Sequence, residues 1–178
     1  TMKSSLIRFL ALVLALCMLA GCTPTTGARL NGAKVDKFTI VYDTEGPDYN
    51  QRAAEYIAAQ ILERTGKELP VCTTDSGTYE HEILVGETDR PISAALNAET
   101  TGLEFALLAD EDHIALEGDY FVIAAAAYYF VQTYIPGGSF RSEVPQEVTI
   151  HTPITEKANK FIFLIGDGMG PVQTQLFA

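Results

Sequence analysis

One carboxylate near the end of the chain has the setting that metal chemistry requires. Phe161-Ile162-Phe163-Leu164-Ile165 is a five-residue apolar run, followed by Gly166-Asp167-Gly168-Met169-Gly170-Pro171. The run reads as a strand buried on both faces. That puts Asp167 at its carboxyl end, where open α/β sheets gather functional groups. A carboxylate there is a hard oxygen ligand for Mg²⁺ and an acceptable one for Zn²⁺. Gly166, Gly168 and Gly170 permit unusual backbone angles and close approach by an ion or phosphate. Pro171 suits the first position of a helix. Composition alone favours the plainer reading, a solvated and inert Gly-Asp-Gly turn.

The other metal-binding residue types add little. His81, His113 and His151 form no pair at helical or alternating spacing, and each reads as a surface or strand histidine. Cys72 ends an apolar run after Val71 and reads as a small core residue. Cys22 has a different setting. Lys3 and Arg8 form a positive start, and the apolar run over residues 9–20 is 12 residues long. As a helix it would reach roughly 18 Å at ~1.5 Å per residue, against a bilayer core about 30 Å thick. It is a secretion signal by this measure, with Met2 expected as the true start. Leu19-Ala20-Gly21-Cys22 matches the lipobox of bacterial lipoprotein signals, which implies that Cys22 is lipidated and becomes the new N-terminus. A single acyl chain holds a membrane only weakly; the two or three carried by a lipoprotein cysteine give lasting attachment. Residues 22–36 then read as a flexible tether. The expected location is extracytoplasmic, anchored to a bacterial membrane.

Composition bounds the remaining classes. Removing residues 1–21 leaves 157, enough for a domain with a real core. The formal charge goes from −11 to −13 once Lys3 and Arg8 leave with the signal. Nothing basic remains that could track a nucleic acid backbone, so nucleic acid is excluded as a partner. With Cys17 removed and Cys22 lipidated, Cys72 has no partner for a disulfide within the mature chain.

The elements that must position these residues follow from periodicity. Phe38-Thr39-Ile40-Val41-Tyr42 is a strand, rich in β-branched and aromatic side chains. Asp48 and Gln51 suggest a capping box. Ala54, Ile57, Ala58, Ile61 and Leu62 recur at helical spacing, and Gly66 supplies a left-handed cap. Residues 69–73 form a short strand that Pro70 assigns to an edge. Residues 82–86 form another strand, and 91–100 a weak helix or loop. Residues 103–109 and 113–117 flank Asp110-Glu111-Asp112 as a hairpin. Residues 120–135 are apolar almost all round, too short for a membrane span and suited to a helix buried against a sheet. A strand over 147–151 closes the order. The expected class is α+β, a small sheet with helices packed on one face.

Two resemblances extend this reading. Ile40-Val41-Tyr42, Ala53-Ala54-Glu55-Tyr56, Thr65-Gly66-Lys67-Glu68-Leu69-Pro70-Val71 and Glu82-Ile83-Leu84-Val85-Gly86-Glu87-Thr88, with the last helix, are together similar to the N-terminal accessory domain of family 20 β-hexosaminidases and α-glucuronidases. The similarity covers residues 37–151 and implies a domain that packs beside a catalytic barrel without catalysing. Asp119-Tyr120-Phe121-Val122 departs from it, standing where those proteins carry a small-residue turn. Residues 152–159 read as a linker. Residues 160–178 resemble the opening of an alkaline phosphatase domain, whose first strand runs into Gly-Asp-Gly-Met-Gly. That resemblance implies that Asp167 is a metal ligand shared between a zinc and the magnesium site. It also implies a phosphomonoester substrate, a Ser nucleophile that becomes phosphorylated, and further His, Asp and Glu ligands, all beyond Ala178. Residues 1–178 contain no catalytic residue of that set, so this chain by itself is expected to be an inactive fragment that binds Zn²⁺ and Mg²⁺ weakly at best. The alternative is a non-enzymatic lipoprotein whose accessory domain binds a glycan or cell-wall partner. Reading the gene past codon 178 separates the two.

Overall fold

The computed structural model describes residues 27–44 and 48–152. Its centre is a six-stranded sheet in the order β4-β3-β5-β7-β6-β9. The strands are β3 (Phe38–Tyr42), β4 (Val71–Thr73), β5 (His81–Val85), β6 (Phe105–Ala109), β7 (His113–Gly118) and β9 (Thr149–His151). β4, β3, β5 and β7 run parallel, whereas β6 is antiparallel to both β7 and β9. The expected hairpin is therefore present as β6 and β7. β4 lies at the edge, as Pro70 required, and the Pro70 carbonyl accepts the Ile40 N–H at 2.9 Å.

Among the described residues three α-helices accompany the sheet: α1 (Tyr49–Thr65), α2 (Pro91–Asn97) and α3 (Val122–Tyr134). The fold is α+β. α1 and α3 pack together on one face. Ala54, Ile57 and Ile61 from α1 meet Ile123, Ala127, Phe130 and Val131 from α3 over Ile40, Ile83, Leu107, Ile114 and Leu116 of the strands, all buried. The alanines let the helices approach closely, which is how an almost wholly apolar segment is absorbed by the core. Among the described residues no helix is long and apolar enough to cross a membrane.

The one-face expectation holds for the two long helices only. The short α2 covers the other face, where Ile92 and Leu96 pack on Val41, Leu84, Ala106 and Ala115. Strands β5 and β7 are thus buried on both sides, which explains their nearly continuous apolar sequence.

Several local expectations are corrected. Gly66 caps α1 at φ 69°, its N–H donating to Leu62 at 2.8 Å, but the capping box does not form. Asp48 makes no side-chain cap and instead takes the Arg52 guanidinium at 2.6 and 2.9 Å, while Gln51 donates to Glu55. Leu62 is on the outside of α1, 48% exposed, and Ala53 takes a place in the core. The tether also ends earlier than residue 36. β1 (Arg29–Leu30) pairs with β2 (Ala33–Lys34) and with β8 (Arg141–Ser142) in a second, three-stranded sheet. Leu30 and Val35 are buried in the main core. Their isolation among polar neighbours hid them from a search for periodicity.

Candidate functional site

The carboxyl ends of β3, β5 and β7 bring together Asp43, Glu87, Glu117 and Asp119. Strand β7 turns its odd-numbered residues toward α2, so Glu117 continues the face that buries Ala115. Glu117 is 6% exposed. Its Oε1 accepts the Gly118 N–H at 3.2 Å, and its buried Oε2 has no hydrogen-bond partner among the described residues. Burial pushes this carboxyl up to about 7; the Gly118 N–H opposes that effect, and the charges of Glu87, Asp119 and Asp43 add to it. A carboxyl set near neutrality can hold or release a proton under ordinary conditions.

The backbone at this edge is tightly fitted. Gly86 ends β5 at φ 82°, donating its N–H to the Leu116 carbonyl at 2.9 Å. A Cβ on Gly86 would collide with the Asn50 side chain from the first turn of α1. After β7 the chain turns through Tyr120 at φ 44°, a left-handed conformation that a bulky residue adopts at a cost. Tyr120 and Phe121 are both exposed there. This is the segment that departs from the accessory-domain pattern, and a small residue would relieve it.

A second buried charge system lies on the same face at the amino end of β5. Arg90 donates from Nε to Glu82 Oε2 at 2.8 Å and from Nη2 to Glu82 Oε1 at 2.9 Å. Nη2 also donates to the Gly77 carbonyl at 2.5 Å, and Asp89 contacts Nη1. Glu82 Oε1 accepts the Tyr79 N–H at 2.8 Å. The Glu82 carboxylate raises the Arg90 pKa further, against the opposing effect of burial. Next to this pair, the Thr88 and Ser93 hydroxyls lie 2.7 Å apart. Arg90 stands at the N-cap of α2, so the pair ties that helix and the Gly77–Tyr79 loop to the sheet. Both charges are satisfied by fixed partners, which marks a brace for the helix.

The histidines are scattered over the domain. His81 lies against Phe38, its Nδ1 3.3 Å from Asp112 but, among the described residues, without a hydrogen bond. His113 Nδ1 is 3.0 Å from Asp110 and its Nε2 3.7 Å from Glu82. His151 stacks between Phe105 and Tyr129, where burial lowers its pKa. Cys72 is only half-buried, because its strand is at the sheet edge. Among the described residues, no three His, Cys, Asp or Glu side chains form a group that could hold a metal ion. Asp167 and Cys22 lie outside the described residues.

No protein-family model matches this chain, and no curated protein matches it either.

Glu82, Arg90 and Glu117 were not singled out from the sequence. The signal was weak but present. Glu82 opens, and Glu117 closes, an apolar strand that is buried on both faces, so each had to be neutralised or paired. Only the tertiary partner decides which: Arg90 reaches Glu82, and among the described residues no cation reaches Glu117 Oε2.

Proposed function

We propose that this chain belongs to a surface-anchored, metal-dependent phosphomonoester hydrolase of the alkaline phosphatase type. The observation that carries the reading is the sequence Phe161-Ile162-Phe163-Leu164-Ile165-Gly166-Asp167-Gly168-Met169-Gly170, an apolar run leading into one carboxylate among three glycines. The donor fits Zn²⁺ and Mg²⁺ in kind, a hard oxygen ligand, but supplies one ligand where such sites need several. A bound metal pair would stabilise the attacking and leaving oxygens of an in-line displacement. Asp167 would hold an ion at the strand end, and Gly166 and Gly168 would let the backbone approach the phosphate. The nucleophile and remaining ligands are assigned to sequence beyond Ala178. Cys22 would anchor the protein by lipid, and the α+β domain would occupy the space between the anchor and the phosphatase strand.

The experiment is to read the gene past codon 178 and assay its product on an aryl phosphate, with and without chelator. The expected result is a continuing frame whose chelator-sensitive turnover far exceeds that of residues 1–178. A stop codon at that point would overturn the phosphatase reading and leave a binding module.

A further inference from the structure

A cavity half open to solvent lies where the segment leading into β3 meets the end of α1, and its charge is the reverse of that at the acidic strand ends. Its volume is about 600 Å³, within the range of small-molecule sites. Arg29, Lys34, Lys67, Asp36, Thr65 and Ser139 line it. Three cations against one carboxylate leave a net positive rim in a chain whose formal charge is −11. We infer that this cavity is a binding site for a phosphate or phosphodiester anion.

The geometry supports a small anion held at a partly solvated rim. Arg29 is steadied by donating from Nη1 to the Gly32 carbonyl at 2.6 Å, which leaves other N–H groups of its planar fork to reach an anion. Lys67 Nζ stands 3.8 Å from Asp36 Oδ2, with both side chains about half exposed, a loose pair that an incoming anion can compete for. The Thr65 hydroxyl is committed, donating to Ile61 and accepting the Lys67 N–H. Ser139 adds an exposed hydroxyl. A smaller adjoining cavity of about 150 Å³ shares Arg29 and adds Arg141 and Glu143, whose opposite charges leave the positive character with the larger one. A long polyanion is disfavoured because the rest of the molecule repels it. A single phosphate group is not, since screening over about 8–10 Å removes most of that distant repulsion.

Two sources carry this chemistry. One is a soluble phosphate ester; the other is an anionic phospholipid headgroup. The cavity wall includes Ala28, six residues after Cys22, so a lipid anchor there would hold the cavity near a bilayer surface. The site itself stands on its own residues and does not depend on the Asp167 reading.

The test uses the full chain in three forms: wild type, the triple variant Arg29→Gln, Lys34→Gln, Lys67→Gln, and Asp36→Asn. Equilibrium dialysis against labelled inorganic phosphate at low salt should give a Kd on the order of 1 mM, as exposed charge pairs allow. The triple variant should weaken it at least about tenfold, and Asp36→Asn should tighten it by about threefold, as removal of one nearby like charge implies. Flotation on phosphatidylcholine vesicles with and without phosphatidylglycerol reads the second source. The quantity is how the extra binding that phosphatidylglycerol confers differs among the three forms, since the leader, with Lys3 and Arg8, attracts anionic lipid equally in all of them. Phosphate binding that follows this order supports the site with a soluble ligand. Absence of phosphate binding, with a phosphatidylglycerol preference reduced in the triple variant and enhanced in Asp36→Asn, supports the headgroup. Neither response, or a response the triple variant leaves intact, overturns the proposal. Should the triple variant fail to melt cooperatively, Asp36→Asn decides alone: tightening supports the site and no change overturns it.

Discussion

Glu117→Gln tests the buried carboxyl at the end of β7 through its pH dependence. In the folded protein this group sits at about 7, against an ordinary value of 4.5. The native state therefore holds the proton more tightly than the unfolded chain. The sign follows: its contribution to stability is fully present below pH 4.5 and is lost as pH rises through about 7. At about 1.36 kcal/mol per pH unit, the interval amounts to about 3 kcal/mol. Gln keeps an oxygen for the Gly118 N–H and cannot ionise, so it removes this dependence. Urea unfolding of wild type and variant from pH 5 to 8 is the assay. From pH 5 the variant should gain on wild type by about 1.4 kcal/mol per pH unit until near pH 7 and then level off, about 2.5 kcal/mol in all, or about 10 °C in melting midpoint. Asp110 works in the opposite direction, but only in acid. Burial opposes its ionisation, yet the N–H groups of Asp112 and His113 and the His113 ring hold its carboxyl below the ordinary value, and the difference between the two proteins cancels it. A gap that stays constant from pH 5 to 8 would refute the reasoning.

Other substitutions have equally definite outcomes. Arg90→Met leaves the Glu82 charge buried without its partner and should cost about 3–5 kcal/mol by urea unfolding, whereas pairing it with Glu82→Leu should recover much of that loss. Tyr120→Gly relieves a left-handed tyrosine that is 67% exposed and should raise stability by about 1 kcal/mol. Gly86→Ala adds strain at φ 82° and displaces Asn50, so a loss of about 1–3 kcal/mol is expected, read as a lowered melting midpoint. Cys22→Ala should abolish labelling of the protein by a fatty acid in bacterial cells; equal label in wild type and variant would remove the anchor.

Elements with a strong local period were legible before the structure. Ile57 and Ile61 mark the buried stripe of α1, Gly66 its end, and Asp110 to Asp112 the turn between β6 and β7. What escaped the sequence depends on contacts far along the chain. α2 is a single short helix whose two buried anchors, Ile92 and Leu96, give no extended pattern, so its covering of the second sheet face was invisible. Leu30 and Val35 look like strays in a polar stretch until β8, more than a hundred residues later, pairs with β1. The basic cavity has the same origin: Arg29, Lys34, Lys67 and Ser139 come from segments that only the fold juxtaposes. Asp167 and Cys22 are read from sequence motifs and lie outside the described residues.

The most direct test of the functional claim is the metal content and aryl phosphate turnover of the full reading frame with Asp167→Asn. The substitution nearly preserves shape while removing a negative charge from the proposed metal site. Lower metal occupancy and a fall in turnover of about two orders of magnitude or more are expected, since metal-held geometry carries the displacement. Wild-type metal content and wild-type turnover in the variant would contradict the assignment of Asp167, and with it the phosphatase reading of this chain.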